Sequence, residues 1–270
     1  VTLAETLLLK QPWLITPEAH AALVAVGHAF FESPGKLTPP AKSGLLSVEN
    51  GVGVVNLTGP LIRKPDFTAS VLFGATDTDE AIAAVREAGQ RPDVEAVFLD
   101  IDSPGGTVSG TPELANAVTD VCAQKYTYAF TAGQMCSAAY WVGSQCDAVY
   151  ATPSARVGSI GVLLPVMDSS EAMQRQGLKV EVFAAGKFKS TGMPGVPLTD
   201  EQRAWLQADV EEIATEFRSA VLARGRKVTP DVMEGQTFSA RKAAYHSLIS
   251  GVVSSRADAI AKLRSRHVAG

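Results

Sequence analysis

Three short stretches of the 270-residue chain have residue types and spacings that can do chemistry. The first is Asp102-Ser103-Pro104-Gly105-Gly106, directly after the apolar run Val94–Ile101. A buried strand that runs into Pro-Gly-Gly and then a helix exposes backbone N–H groups with no side chain in the way, which is how an oxyanion site is built. An ordinary strand-to-helix turn has the same composition. The second is Ala132-Gly133-Gln134-Met135-Cys136-Ser137-Ala138-Ala139-Tyr140. Here a strand leads through a tight turn into a helix of small residues, with Ser137 at the helix start. There the macrodipole favours developing negative charge, and the N–H of Ala138 points towards it. A serine that merely caps a helix occupies the same place. Cys136 is a competing nucleophile, but it lacks a histidine partner and reads as a small core residue. The third is Gly186-Lys187-Phe188-Lys189-Ser190-Thr191. A lysine acts as a general base only when neutral, which requires burial or a nearby cation. In an extended segment Lys187 and Lys189 point to the same face, where one ammonium helps to depress the other. A solvated pair of surface lysines has the same pattern.

What the chain lacks narrows the chemistry further. Its four histidines, His20, His28, His246 and His267, all lie outside residues 29–245. A Ser-His-Asp triad would therefore need a terminal segment to fold back over the core. There is no HExxH, no CxxC and no close histidine pair in the core, so neither a metal nor a cofactor is expected. The three cysteines, Cys122, Cys136 and Cys146, cannot all pair with one another, which suits a reducing compartment. A net charge of −4 argues against a basic nucleic-acid binder. Apolar stretches such as Ile160–Met167 fall short of the ~18–20 residues that span a bilayer, and the N-terminus lacks a secretory pattern. A cytoplasmic location is expected.

The elements that must position these stretches alternate along the chain. Val52–Leu57, Val94–Ile101, Tyr126–Phe130, Ala148–Ala151 and Val180–Ala184 read as strands. Asp77–Gln90, Thr111–Gln124 and Ser137–Val142 read as helices, and the alternation implies an α/β fold with a mostly parallel sheet. Residues 1–44 read as a helical N-terminal extension, started by Thr16-Pro17-Glu18 and closed by the Pro/Gly linker from Ser33 to Pro40. The main domain takes 45–265, and 266–270 form a tail. In the C-terminal third, Thr199 with Gln202 forms a capping box. It opens a long helix carrying Trp205, Leu206, Val210, Ile213, Phe217 and Val221, with Gly225 as the stop. That stripe must bury itself against the domain or a partner subunit.

Together the motifs from about Leu45 to Leu263 resemble the signal peptide peptidase A family, serine–lysine dyad peptidases on a Clp-protease/crotonase-like fold. The resemblance rests on the turn at 102–106, on Ser137-Ala138-Ala139-Tyr140, on Val157-Gly158-Ser159-Ile160-Gly161-Val162 and on Gly186-x-x-Lys189. Gly235-Gln236-Thr237-Phe238-Ser239-Ala240 followed by Gly251-Val252-Val253 also matches the family's C-terminal pattern. Ala138-Ala139 departs from the usual Gly-Gly, and no N-terminal membrane anchor is seen. In its place Gln11-Pro12-Trp13-Leu14-Ile15-Thr16-Pro17-Glu18 is similar to the start of the phage head-maturation proteases, a branch that cleaves scaffold and capsid proteins inside assembling heads.

The resemblance implies Ser137 as nucleophile, Lys189 as its general base, the N–H groups of Gly106 and Ala138 as the oxyanion hole, and Ser159 as the hydroxyl that aims the lysine. It implies an extended peptide or protein substrate, such as scaffold or capsid protein, paired with the segment after Gly106 and the one near Val162 as added strands. It also implies a homo-oligomer acting in the cytoplasm or inside the assembling capsid of the host cell. Three other readings share these residues. One is a cellular enzyme that degrades signal peptides. Another is a crotonase-like acyl-CoA enzyme recruiting Asp100 and Asp102. The last is an inactive assembly module. The basic end, Arg256, Lys262, Arg264 and Arg266, reads as a helix-terminus complement or as a docking surface for an acidic scaffold or nucleic acid.

Overall fold

The computed structural model describes residues 11–32 and 44–268. The linker expected from Ser33 to Pro40 lies outside the described residues. In chain order the strands are β1 (Trp13–Ile15), β2 (Leu46–Glu49), β3 (Val52–Thr58), β4 (Leu61–Ile62), β5 (Thr76–Asp77), β6 (Ala96–Asp102), β7 (Gly105–Thr107), β8 (Tyr126–Thr131), β9 (Gln134–Cys136), β10 (Ala148–Ala151), β11 (Arg156–Gly158), β12 (Thr237–Ser239) and β13 (Gly251–Val252). The helices are α1 (Pro17–Glu32), α2 (Phe67–Phe73), α3 (Thr78–Gln90), α4 (Thr111–Cys122), α5 (Ala138–Ser144), α6 (Ser170–Arg175), α7 (Asp200–Ala223), α8 (Ala240–Tyr245) and α9 (Arg256–Val268).

The α/β alternation in the sequence builds a six-stranded sheet of order β13-β10-β8-β6-β3-β2, parallel except for β2. Period-two alternation sends the strand side chains to two faces. From β6, Val97, Leu99 and Ile101 join Val85 of α3, Leu114 of α4 and Val142 of α5 on one face. Phe98, with Tyr128 and Phe130 of β8, meets Ala259 and Leu263 of α9 on the other. Asp100, two residues after Phe98, shares its face, so its carboxylate emerges beside α9 and accepts a 2.6 Å hydrogen bond from Arg256 Nε. A second, four-stranded sheet has the order β1-β7-β4-β5, and a three-stranded sheet the order β12-β11-β9.

Local signals explain the helix ends. Asp77 caps α3 by accepting the Asp79 N–H at 2.9 Å. The capping box at Thr199 is formed in both directions, at 3.2 and 3.1 Å, and Gly225 ends the last turn of α7 at φ 70°. Two expectations need correction. Val180–Ala184 is not a strand: it forms no ladder with any described segment, although Gly195 packs against Val180, and Phe183 is 94% exposed. Within this chain the domain covers the C-terminal half of the α7 stripe, with Phe217 and Val221 buried, and Trp205 at its start is 49% exposed. The N-terminal extension is also more than helical, because β1 inserts into a sheet.

Candidate active site

The chain reverses direction twice beside the C-terminal end of the central strand β6, and both reversals are fixed by backbone contacts. After β6, the Ser103 N–H donates to Gln134 O at 2.8 Å, and the Cys136 N–H donates back to Ser103 O at 3.2 Å. The Pro-Gly-Gly turn and β9 are thereby locked side by side. Asp102 strengthens the lock, since its carboxylate accepts the Gln134 N–H at 2.9 Å. Both glycines are required by close approach: a Cβ on Gly105 would lie 2.0 Å from Leu14 O, and one on Gly106 would lie 1.8 Å from Leu61 O.

Ser137 sits between β9 and α5 at φ 53° and ψ −120°. A non-glycine residue held at positive φ stores strain, and such residues persist where the surroundings over-determine them. Here the Ser137 N–H donates to Gly158 O at 2.8 Å, and its carbonyl accepts the Trp141 N–H at 2.9 Å. The hydroxyl does not cap α5. It points instead to Gly161 O, a loose 3.5 Å away. The simple capping role that its sequence position suggested is therefore not the one it plays. Ala138 is the first residue of α5 and is fully buried, and its N–H has no carbonyl one turn back to bond.

The Ser159 turn adjoins. Gly158 and Ser159 both have positive φ, 118° and 54°. The turn is pinned by the Ser159 N–H donating to Gln236 O at 2.7 Å and by the Gly235 N–H donating to Ile160 O at 2.8 Å. Strand β12 pairs antiparallel with β11, which explains why the Gly235–Ala240 segment accompanies the other motifs. Ser159 opens into a cleft of about 250 Å³ whose walls include Ile15, Gly161, Leu163, Arg218 and Glu234.

The structure thus gathers Gly106, Ser137, Ala138 and Ser159. It does not bring Lys189 to them within one chain. Lys189 is exposed, and no hydrogen bond or ion pair joins its amine to a described residue. Lys187 is ion-paired with Glu201, and the Lys187 carbonyl accepts from Gln202 Nε2 at 3.0 Å. Cys136 is fully buried, and burial pushes its thiol up to about 12, so it makes a poor nucleophile. The carboxylates a crotonase-like reaction would recruit are engaged, Asp100 with Arg256 and Asp102 with the Gln134 N–H. Arg256 is also bound to Glu49, so it does not belong to a free basic patch. Among the described residues no three His, Cys, Asp or Glu side chains cluster to hold a metal, and no helix is long and apolar enough to cross a membrane. The sequence reading missed two participants: the Gly161 carbonyl, which no side-chain pattern announces, and β1, whose Trp-Leu-Ile is too short to show a period.

A profile described as peptidase family S49 matches residues 120–268. Capsid assembly protease C of Escherichia phage lambda is 28% identical over 83% of this chain and 51% of that protein. Head-tail preconnector protein GP5 of Enterobacteria phage P21 is 28% identical over 71% of the chain and 40% of that protein. Protease 4 of Salmonella typhi is 23% identical over 72% of the chain and 33% of that protein. The chain spans about half the length, or less, of these curated relatives. A crystal structure of an enoyl-CoA hydratase from Shewanella pealeana superposes with a TM-score of 0.49 at 12% identity, covering 90% of this chain and 77% of that one.

Proposed function

We propose that this chain, which belongs to peptidase family S49, is a serine endopeptidase that uses Ser137 as nucleophile and Lys189 as general base. The observation that carries the reading is the strained Ser137 turn, with its hydroxyl left out of helix capping and turned to the Gly161 carbonyl. The hydroxyl oxygen attacks the scissile carbonyl carbon while the neutral amine of Lys189 takes its proton. The N–H groups of Gly106 and Ala138 stabilise the oxyanion, each worth roughly 3–4 kcal/mol in the transition state. The amine then returns the proton to the leaving nitrogen, the C–N bond breaks, and an ester on Ser137 remains. Water, deprotonated by the same amine, hydrolyses that ester. Ser159 donates to or accepts from the amine and aims it.

A neutral lysine needs burial, and within one chain Lys189 is exposed on a segment with Phe183 at its apolar tip. We take both as surfaces that another copy covers, so the working enzyme is a homo-oligomer. The two phage relatives support scaffold or capsid protein as substrate. The test is incubation with casein and with a candidate capsid scaffold, reading fragments by mass spectrometry. The parent should cut, and folded Ser137→Ala should not. Equal cutting by both would remove Ser137 from the reaction.

A further inference from the structure

The two segments flanking the Ser137 site as walls for an added strand are already bridged by the chain itself. Strand β1 pairs antiparallel with β7, with Trp13 opposite Thr107, Leu14 opposite Gly106 and Ile15 opposite Gly105. On its other edge the Trp13 N–H donates to Leu163 O at 2.8 Å, and the Leu163 N–H donates back to Trp13 O at 3.0 Å. Backbone groups of successive residues in a strand point to opposite edges. Since those of Trp13 face Leu163, those of Leu14 face β7. The Thr16 N–H, two residues on, confirms the register by donating to Pro104 O at 3.0 Å. The Leu14 carbonyl is therefore aimed at the Gly106 N–H, the donor assigned above to the oxyanion.

Three further observations agree. Ile15 lines the cleft together with Ser159 and Gly161, and the Gly161 carbonyl is the partner of the Ser137 hydroxyl. Ser137 itself has no exposed surface, so a carbonyl from outside has no path to it in this state. All three β1 side chains are at most 2% exposed. Leu14 enters the main core, while Trp13 and Ile15 pack with Leu23, Ile62, Phe73 and Leu163.

We propose that Trp13–Ile15 is a pseudosubstrate strand: it fills the channel an extended substrate occupies, holds the enzyme inactive until it leaves, and shows that the channel accepts consecutive large apolar residues. This rests on the Ser137 reading, but binding tests it separately from hydrolysis. The probe is a fluorescein-labelled peptide of residues 11–17, titrated by anisotropy into Ser137→Ala protein with and without Trp13→Pro, which removes the N–H given to Leu163. Opening the channel should tighten binding roughly tenfold, because apparent affinity scales with the open fraction. A peptide with serines in place of Trp-Leu-Ile should not bind. Hydrogen exchange on the otherwise unaltered protein decides the matter without the Trp13 variant, should that variant fail to fold. Excess peptide should strip protection from the Trp13 and Leu14 amides. Unchanged affinity in a folded Trp13→Pro protein, or peptide bound while those amides stay protected, overturns the proposal. Tightened binding with no hydrolysis by the Ser137-bearing protein upholds the strand and sinks the peptidase. Hydrolysis with unchanged binding does the reverse.

Discussion

Gly106→Ala tests the site with the least ambiguity, because the structure sets both the clash and its consequence. The added Cβ would lie 1.8 Å from the Leu61 carbonyl oxygen. Ordinary contact needs roughly 3.5 Å, so β7 or β4 must give way by more than about 1 Å in a close-packed interior. Such a shift at an oxyanion donor costs about 10²-fold by misplacement alone, and about 10²–10³-fold if the donor is lost. We expect kcat to fall by that factor. The strain itself should cost ~1–3 kcal/mol, lowering Tm by several degrees. The assay is hydrolysis of a quenched-fluorescent apolar peptide, well below the variant's melting point. Gly44→Ala is the control, since a Cβ there meets nothing within 4 Å. A folded Gly106→Ala enzyme within about threefold of the parent would refute the oxyanion assignment, since no arrangement keeps the donor in place beside that clash.

Three further expectations concern the lysine, the helix that supports Ser137, and the anchor of α9. Lys189→Ala should abolish turnover and Lys187→Ala should spare it; mixing Lys189→Ala with Ser137→Ala protein should restore hydrolysis if the base comes from another copy, which a fluorescent peptide assay reads directly. Phe217 stacks on Trp141 at 4.7 Å between ring centroids, so Phe217→Ala should destabilise by about 3–5 kcal/mol and lower Tm by roughly 10 °C in a thermal melt. The Arg256 guanidinium holds the Glu49 carboxyl below its ordinary value, chiefly through their hydrogen bond. Its stabilisation is present above the unfolded carboxylate value of about 4.3 and is lost as pH falls through the lower folded value. Arg256→Ala should therefore flatten the acid limb of the stability curve below about pH 4, measured by urea denaturation.

Four strands of the central sheet, β3, β6, β8 and β10, were legible because each is an apolar run bounded by breakers, whereas the edge strands β2 and β13 are too short or too polar to announce themselves; α3 and α7 were legible because their caps are written in side chains, and α4 because Pro112 stands in its first turn. The candidate site was legible only as separate turns. Gly-Gly and the Ser-Ala-Ala turn are local signals, and the structure places them together. Val180–Ala184 misled, because an apolar β-branched run specifies a strand only where a neighbour supplies a ladder, and here none of the described segments does. Strand β1 was invisible for the opposite reason. Its three residues form a strand solely through partners about 90 and 150 positions away, and no local pattern encodes such pairing.

These two misreadings bear on one another. On the proposed reading, one chain carries the nucleophile Ser137 and two amide donors on turns fixed by backbone bonds, with the substrate channel filled by β1. It also carries an arm, holding the exposed Lys189 and Phe183, that is seated on the start of α7 rather than on Ser137: Phe188 packs on Trp205 and Gln202 Nε2 donates to Lys187 O. A solitary chain is thus short of a base and closed to substrate at once. The two deficits differ in what relieves them: association covers the arm and raises activity with protein concentration, whereas β1 yields to competing peptide. Specific activity should consequently rise with enzyme concentration in the parent and in Trp13→Pro alike, while only the parent shows a lag, shortened by excess cleavable substrate. A lag that vanished with concentration alone would mean that assembly itself expels β1, and the two controls would be one.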